Sequence, residues 1–284
     1  CCLIGSFPTW SNAQSTSSSV DYKIYSTKKE TMLSLDELVQ EVADIDVLFF
    51  GEEHNDKIAH WLQDTIYQLL LAEYGSVALS LEMFETDCQQ VLNEYLNGFI
   101  TEAKFTNDAR AWNNYATAYR PLVETAKTSN QTVIAANAPN RYVNLVSREG
   151  PDALQNLPQS ARQYLPPLPI RNVDSNYYVR FQEIMGGSGH NISDNFYYAQ
   201  CTWDAGMASS IYRNWRTNKK QLIFHLNGRF HSDYRSGAMT QLQRLNKRIK
   251  LYNISCFSAE DFADPDWKAY AELGDYIILT KALP

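Results

Sequence analysis

Long apolar runs and an excess of basic residues are both missing from this sequence. No run approaches the roughly 18 apolar residues that a membrane-spanning helix needs. The 25 Lys and Arg residues are outnumbered by 32 Asp and Glu, giving a formal net charge of -7 and a pI near 5.3. A nucleic-acid partner requires a basic face, so the composition excludes that class of partner.

Cysteine is scarce, and standard catalytic motifs are absent. The five cysteines, at positions 1, 2, 88, 201 and 256, show neither a CxxC motif nor the Cys/His spacing of zinc sites. The sequence also lacks a GxSxG elbow and an HExxH helix, which weakens the standard serine and zinc hydrolase classes. Cys88, Cys201 and Cys256 lie among apolar residues and are predicted to be buried thiols.

The first 20 residues are polar and begin with a cysteine. Cys1 precedes a serine-rich tract over residues 11–19, which has too few apolar residues to offset the entropy of ordering. This arrangement resembles the mature end of a bacterial lipoprotein. Acyl chains such as palmitate anchor such a protein, and each buried methylene adds roughly 0.8 kcal/mol to the free energy of membrane binding. The alternatives are a sequence that merely starts there and a reduced intracellular thiol. We expect residues 1–20 to be a lipidated, flexible tether and residues 21–284 a single α/β domain.

Strand and helix patterns alternate through the rest of the chain. A leading edge strand is predicted at 22–26, and Ser34 with Glu37 forms a capping box that starts a helix through 44. Further strands are predicted at 46–50, 77–81, 132–136, 221–226, 250–256 and 276–279. Further helices are predicted at 57–73, 86–97, 107–118 with a restart at Pro121, 173–185, 196–215 and 235–247. The pattern indicates an α/β fold, a mainly parallel sheet flanked by helices, with a helical insertion around 151–215.

Polar side chains follow the ends of four predicted strands. They are Glu52, Glu53, His54, Asn55 and Asp56; Glu82; Asn137, Arg141 and Tyr142; and Asn227, Arg229 and His231. In open α/β sheets, ligands bind just outside the carboxyl ends of the strands. Histidine is both a common metal ligand and a general base, so these side chains predict a site. A simpler interpretation is that they only pair with one another. His60 is expected to support the site, and His225 to lie in the core.

Several of these segments together resemble the ChaN family of bacterial haem-binding lipoproteins. The resemblance is carried by residues 50–56 (FGEEHND), 80–84 (SLEMF), 114–115 with 119–123, 134–143 (IAANAPNRYV), 200–204 with 207–208, and 225–231 (HLNGRFH), which follow in order along most of the chain. It implies a parallel sheet flanked by helices and haem binding in iron uptake, with haem held between paired subunits. A more remote resemblance is to the erythromycin-esterase and Tiki hydrolases, which use strand-end His and Glu residues.

A haem site requires an iron ligand, and ferric iron accepts a tyrosine phenolate. Tyr142 is the predicted ligand because it follows the third strand end beside Arg141, a cation able to bind a propionate. Tyr119, Tyr197 and Tyr198 are the alternatives. Met83 and Met207 are expected to be core residues. The other residues predicted around the haem are His54, Glu82, Asn137 and His231.

The leading functional hypothesis is a haem carrier that is lipid-anchored to the bacterial outer membrane in the cell envelope. It would receive haem from an outer-membrane haem receptor, or store haem there, as a haem-dependent homodimer. The competing hypothesis is a His/Glu-dependent hydrolase, metal-assisted or not, in which Glu52 or His54 activates water and His231 stabilises charge. A third hypothesis is a surface lipoprotein whose site is vestigial.

Overall fold

The computed structural model describes residues 21–171, 174–186 and 192–282. These contain one mixed sheet, whose spatial order is β2-β1-β8-β7-β3-β6-β4-β5. The strands are β1 Tyr22–Ser26, β2 Thr31–Leu33, β3 Val47–Glu52, β4 Val77–Glu85, β5 Val133–Asn137, β6 Leu222–Gly228, β7 Leu251–Ser258 and β8 Tyr276–Thr280. The six strands from β8 to β5 pair in parallel, whereas β1 and β2 are antiparallel to their neighbours.

Helices cover both faces of the sheet. They are α1 Leu35–Glu41, α2 Lys57–Tyr74, α3 Gln89–Leu96, α4 Glu102–Asp108, α5 Tyr115–Ala118, α6 Arg120–Thr128, α7 Asn140–Glu149, α8 Gln159–Arg162, α9 Ser175–Gly186, α10 Asp194–Thr217, α11 Ala238–Leu245 and α12 Trp267–Tyr270. Side chains alternate along a strand, so β3 contributes Leu48 and Phe50 to one core and Val47 and Phe49 to another. All six residues of β3 are buried, as expected for a central parallel strand.

The predicted fold class is confirmed, including the helical insertion. Within residues 151–215, a 3₁₀ turn at Pro151–Asn156 is followed by α8, α9 and α10. This insertion has its own apolar cluster, in which Tyr177, Phe181 and Tyr197 are buried. Residues 187–191 of the insertion lie outside the described residues, as does the proposed tether at residues 1–20. None of the described helices is long and apolar enough to cross a membrane.

Local signals were correct where a side chain fixes a helix end. The capping box of Ser34 and Glu37 starts α1, Asp56 caps α2, and Pro121 lies in the first turn of α6. The three cysteines Cys88, Cys201 and Cys256 are buried free thiols, as predicted.

Two local predictions were wrong. Strand β1 is not the edge of the sheet, because the short strand β2, which the sequence analysis missed, pairs outside it. The helix predicted over 107–118 is two separate helices. Thr101 starts α4 early by accepting a hydrogen bond from the Lys104 amide, and Arg110 adopts a positive φ of 56° that ends it. A left-handed residue cannot continue a helix, so α5 begins again only at Tyr115.

Candidate functional site

The carboxyl ends of β3, β6, β4 and β5 lie side by side at one edge of the sheet. These strands are consecutive neighbours and all run parallel. The edge therefore brings together residues that are far apart in the sequence, such as His54 and His231. The predicted convergence of His54, Glu82, Asn137 and His231 at this edge is confirmed.

His231 lies between two buried carboxylates. Its Nδ1 donates to Asp204 Oδ1 at 2.7 Å, and its Nε2 lies 3.5 Å from Glu82 Oε1. Burial by itself favours the neutral ring, but Glu82 and Asp204 outweigh it and raise the pKa of His231 to about 10. Burial opposes ionisation of Glu82, yet His231 above all, with His54, holds its pKa at about 2. His231 is therefore an imidazolium and Glu82 a carboxylate at neutral pH.

His54 forms a second pair, with Glu52. Its Nδ1 lies 2.8 Å from Glu52 Oε1, and the side chain of His54 is 44% exposed whereas that of Glu52 is fully buried. Glu52 also accepts hydrogen bonds from Gln63 and from the Tyr119 hydroxyl. Nε2 of His60 lies 3.6 Å from Glu52 Oε2, which is the supporting position expected for His60. A buried, fixed carboxylate thus orients a histidine ring whose other side is open to solvent.

Gly228 lets these two pairs approach each other. Its amide donates to Glu82 Oε2 at 2.6 Å, and a β-carbon at this position would lie only 2.7 Å from His54 Nε2. Any larger residue would therefore push the imidazole away. Within the described residues, no group of three or more His, Cys, Asp and Glu side chains is arranged to hold a metal ion. His225 lies in the core on Ser80, as predicted.

A cleft of about 600 Å³ opens over these side chains, and we call it the large cleft. Glu52, His54, Gly228 and His231 form its floor. Its apolar wall comes from the insertion and from neighbouring segments: Phe181, Ile184, Met185, Phe230 and Leu273. Tyr177 of α9 stacks on Phe230 with ring centroids 4.9 Å apart, which fixes α9 against the sheet edge. The rest of the polar lining consists of Glu53, Arg180, Glu183, Gln200, Arg229, Asp233 and Tyr234.

A smaller cavity of about 280 Å³ lies on the other side of Glu82 and His231. Asn137 lines it, together with Trp112, Trp203 and Arg110. Asn137 therefore shares a cavity with Glu82 and His231, but it is not among the residues that line the large cleft.

Arg141 and Tyr142 lie in the first turn of α7, apart from the large cleft. Arg141 forms an ion pair with Asp87, and its guanidinium lies 4.4 Å from the centre of the Tyr142 ring. Tyr142 is half-buried against the cluster of the insertion. Neither residue is among those found to line either cavity in the described part of the chain. The predicted role of Tyr142 as an iron ligand stays a prediction.

The other predicted tyrosines are also buried or half-buried. Tyr119 is fully buried, donates to Glu52, and burial raises its pKa strongly. Tyr197 is buried among the aromatic residues of the insertion, and Tyr198 is half-buried on α10. Met207 is a core residue, as predicted, and Met83 is buried beside the smaller cavity.

The sequence matches a known protein family over most of its length. Residues 38–242 match the family described as "Haem-binding uptake, Tiki superfamily, ChaN". The chain belongs to this family. The match includes all four strand ends of the site, and it ends within α11. No curated protein matches the sequence.

A solved structure has the same fold, and two further structures align at lower scores. ChaN of Campylobacter jejuni, whose structure describes cofacial haem binding, aligns with a TM-score of 0.68 and 16% identity, covering 92% of this chain and 98% of that one. The erythromycin esterase mutant EreC H289N aligns with a TM-score of 0.48 and 12% identity, covering 93% and 84%. The toxin effector domain RRSP of Vibrio vulnificus aligns with a TM-score of 0.45 and 12% identity, covering 78% of this chain and 36% of that one.

Tyr234 also lines the large cleft, and it was not among the residues predicted from the sequence. Its side chain is accessible, since the residue is 45% exposed, and its φ of 61° lies in the left-handed region. Non-glycine residues in such strained conformations cluster at functional sites. The sequence signal was its position three residues after His231, directly beyond the HLNGRFH segment.

Proposed function

We propose that this protein binds haem in the large cleft. Membership of the haem-binding uptake family supports this ligand, and the cleft supports the location. Its volume of about 600 Å³ lies within the range of roughly 300–1,000 Å³ typical of small-molecule sites. The apolar wall suits the faces of a porphyrin, and the arginines suit its carboxylates. The observation that carries the proposal is this combination of apolar wall, arginine and accessible phenol in one cleft.

Tyr234 is the iron ligand that this location favours. A phenolate is an established ligand of ferric haem iron, and the Tyr234 side chain is exposed inside the cleft lining. Tyr142, the ligand proposed from the sequence, lies on α7 outside that lining and serves as the comparison. When bound, the haem would supply the redox and ligand chemistry of its iron.

His231 does not act as an iron ligand in this proposal. Its two ring nitrogens face Asp204 and Glu82, and a protonated imidazole has no free lone pair. The histidine instead places a fixed positive charge at the cleft floor. His54 is different, because its side chain is 44% exposed and Glu52 contacts only its Nδ1.

The wider role we propose is haem uptake in the cell envelope. The protein would be anchored to the bacterial outer membrane through acylated Cys1, would receive haem from an outer-membrane receptor, and would pair with a second copy when loaded. The apolar side chains at the cleft mouth support pairing, since Ile184 is 65% and Met185 57% exposed. Replacing Cys1 by Ala in the precursor should move the protein from the membrane fraction to the soluble fraction.

A titration with haemin tests the ligand and its location. The purified domain should give a saturable, stoichiometric change in absorbance, with the charge-transfer band of a high-spin ferric phenolate. Tyr234→Phe should remove that band while the thermal unfolding temperature stays nearly unchanged. Tyr142→Phe, the matched control, should leave the band in place. If Tyr142→Phe alone removes it, the ligand is Tyr142; if no saturable binding occurs, haem binding itself is wrong.

One observation favours hydrolysis as a second candidate function. A histidine that is oriented by a buried carboxylate and has a partly exposed ring is the arrangement of a general base. In this alternative His54 would take a proton from water, and His231 would stabilise the negative charge that develops. Turnover of a nitrophenyl ester that is lost in both His54→Ala and Glu52→Gln would support it. Equal turnover by the parent and both variants would refute it.

A further inference from the structure

Arg180 lines the large cleft with a guanidinium whose hydrogen-bonding groups the protein satisfies only in part. It lies in the middle of α9 and lines the cleft. Its guanidinium packs on the Tyr234 ring, with 4.0 Å from Cζ to the ring centre. The Nη1 group donates to the main-chain oxygen of Asp233 at 3.5 Å. The Nε and Nη2 groups are buried and have no partner among the described residues.

These two nitrogens form one edge of the guanidinium. The Nε–H and an N–H of Nη2 point in the same direction, and such a pair can donate two parallel hydrogen bonds to one carboxylate. Leaving a buried charged donor unpaired is costly, so an unfilled edge of this kind indicates a missing acceptor. The acceptor has to enter through the cleft that Arg180 lines.

The carboxylates that line the cleft already have partners or lie too far away. Asp233 is held by Arg229 Nε at 2.9 Å and by the Ser255 hydroxyl at 2.6 Å. Glu53 accepts from the Ser258 amide at 3.2 Å. In the described ranges, no carboxylate oxygen lies within 4.0 Å of the Arg180 guanidinium.

Arg229 provides the contrast within the same cleft. It is ion-paired with Asp233, lies 3.8 Å from Glu53 Oε1, and packs its guanidinium 4.1 Å from the centre of the Phe257 ring. The Nε of Arg229 also lacks a hydrogen bond of good geometry, but its charge is paired with Asp233, whereas no carboxylate of the described residues lies within ion-pair distance of Arg180. Arg229 therefore has a structural role, and Arg180 is the arginine that is left to contact a ligand.

We propose that Arg180 binds a carboxylate group of the ligand through Nε and Nη2. This inference rests on the proposed function, so for haem the carboxylate is a propionate. Arg180 thereby selects acidic porphyrins over neutral ones. It also sets the orientation of the macrocycle, because the propionate edge must point toward α9.

The test compares haemin with haemin dimethyl ester, in which both propionates are neutral. Both ligands are added in the same detergent to the parent domain, Arg180→Met and Arg180→Lys. The parent should bind haemin on the order of 10- to 100-fold more tightly than the ester, since hydrogen bonds between charged groups have that strength. Arg180→Met should remove this preference by weakening haemin alone. Arg180→Lys should restore it only in part, because lysine lacks the planar fork.

Controls separate this inference from haem binding itself. Arg148→Met, which changes an exposed arginine on α7, should leave both affinities unchanged. If Arg180→Met weakens haemin and ester equally, Arg180 acts only by packing on Tyr234 and the carboxylate role is wrong. If the parent binds both ligands equally, the role is also wrong although haem binding stands. If the parent binds neither ligand, the proposed function fails.

Discussion

At the scale of single residues, the site is built from charges that compensate one another inside the protein. Asp204, His231 and Glu82 form a buried series in which the central imidazolium stabilises the carboxylates on both sides. Removing one member of a buried ion pair costs much more than the pair contributes, because the remaining charge has no partner. The positive charge of His231 is therefore required for the stability of the fold, as well as for the charge at the floor of the cleft.

His231→Gln is expected to lower the free energy of unfolding at pH 6 by about 3–5 kcal/mol, because Glu82 and Asp204 then face each other without a cation. The pKa of His231 is about 10 in the folded state, above the ordinary value of 6.5. A group with a raised folded pKa contributes fully below pH 6.5, and its contribution declines as pH rises toward 10. The difference between parent and variant should therefore shrink from pH 6.5 to 10 in urea unfolding experiments.

His225→Gln is the matched control for this prediction. Burial lowers the pKa of His225 to about 3, so this ring is neutral in the folded and unfolded states above pH 7.5. The difference between the parent and this variant should stay constant from pH 7.5 to 10. A pH-independent difference for His231→Gln over the same range would show that His231 is not held as an imidazolium.

The sequence predicts those site residues that directly follow apolar strands. Glu52, His54 and Glu82 each stand at or just beyond the end of a buried run, and parallel pairing alone brings such positions together. Arg180 and Tyr234 lack this signal. Their contact depends on α9 folding back over the sheet edge and on a left-handed backbone at Tyr234, and neither follows from periodicity or spacing.

At the scale of elements, close contact between helix α10 and the β5 end of the sheet holds the insertion in place. Gly206 of α10 lies so near the chain after β5 that a β-carbon would be 2.7 Å from the Ala138 amide nitrogen. Because that neighbour is main chain, it cannot move aside as a flexible side chain does. The helix carries Asp204 two residues earlier, so its distance from the sheet also sets the contact with His231.

Gly206→Ala should therefore destabilise the protein by about 1–3 kcal/mol, the usual cost of overpacking. This outcome is opposite to the effect of helix propensity, by which alanine is favoured over glycine by about 0.8–1.0 kcal/mol. Arg216→Ala, an exposed change near the end of the same helix, should stay within about 0.5 kcal/mol of the parent. Thermal or urea unfolding measures both, and a stabilising Gly206→Ala would contradict the close approach.

Elements with strong local signals were predicted within a few residues of their observed ends. The apolar runs of β3, β4, β5 and β6 and the capped helices α1 and α2 belong to this group. The elements that were misplaced are short or end in an unusual backbone conformation. Strand β2 has only three residues, which is too short for a periodic pattern to be recognised. No sequence pattern predicts the positive φ at Arg110.

At the scale of the whole molecule, the cleft opens onto an apolar surface. Ile184 and Met185 line the cleft and are also among its most exposed apolar side chains, so a flat ligand bound there would extend this surface. A second copy related by twofold symmetry can cover such a patch with the same patch of its own. Haem loading and pairing are therefore expected to be coupled, because the ligand contributes apolar area to the contact.

The domain should be a monomer without haemin and a dimer when loaded, as measured by sedimentation equilibrium. Ile184→Glu should weaken the loaded dimer by about tenfold or more, since pairing would bury a charge on each copy. Phe99→Glu is the matched control, because Phe99 is 80% exposed on the segment between α3 and α4 and does not line the cleft. Haemin-dependent pairing that survives Ile184→Glu but is lost in Phe99→Glu would place the contact on another face of the molecule.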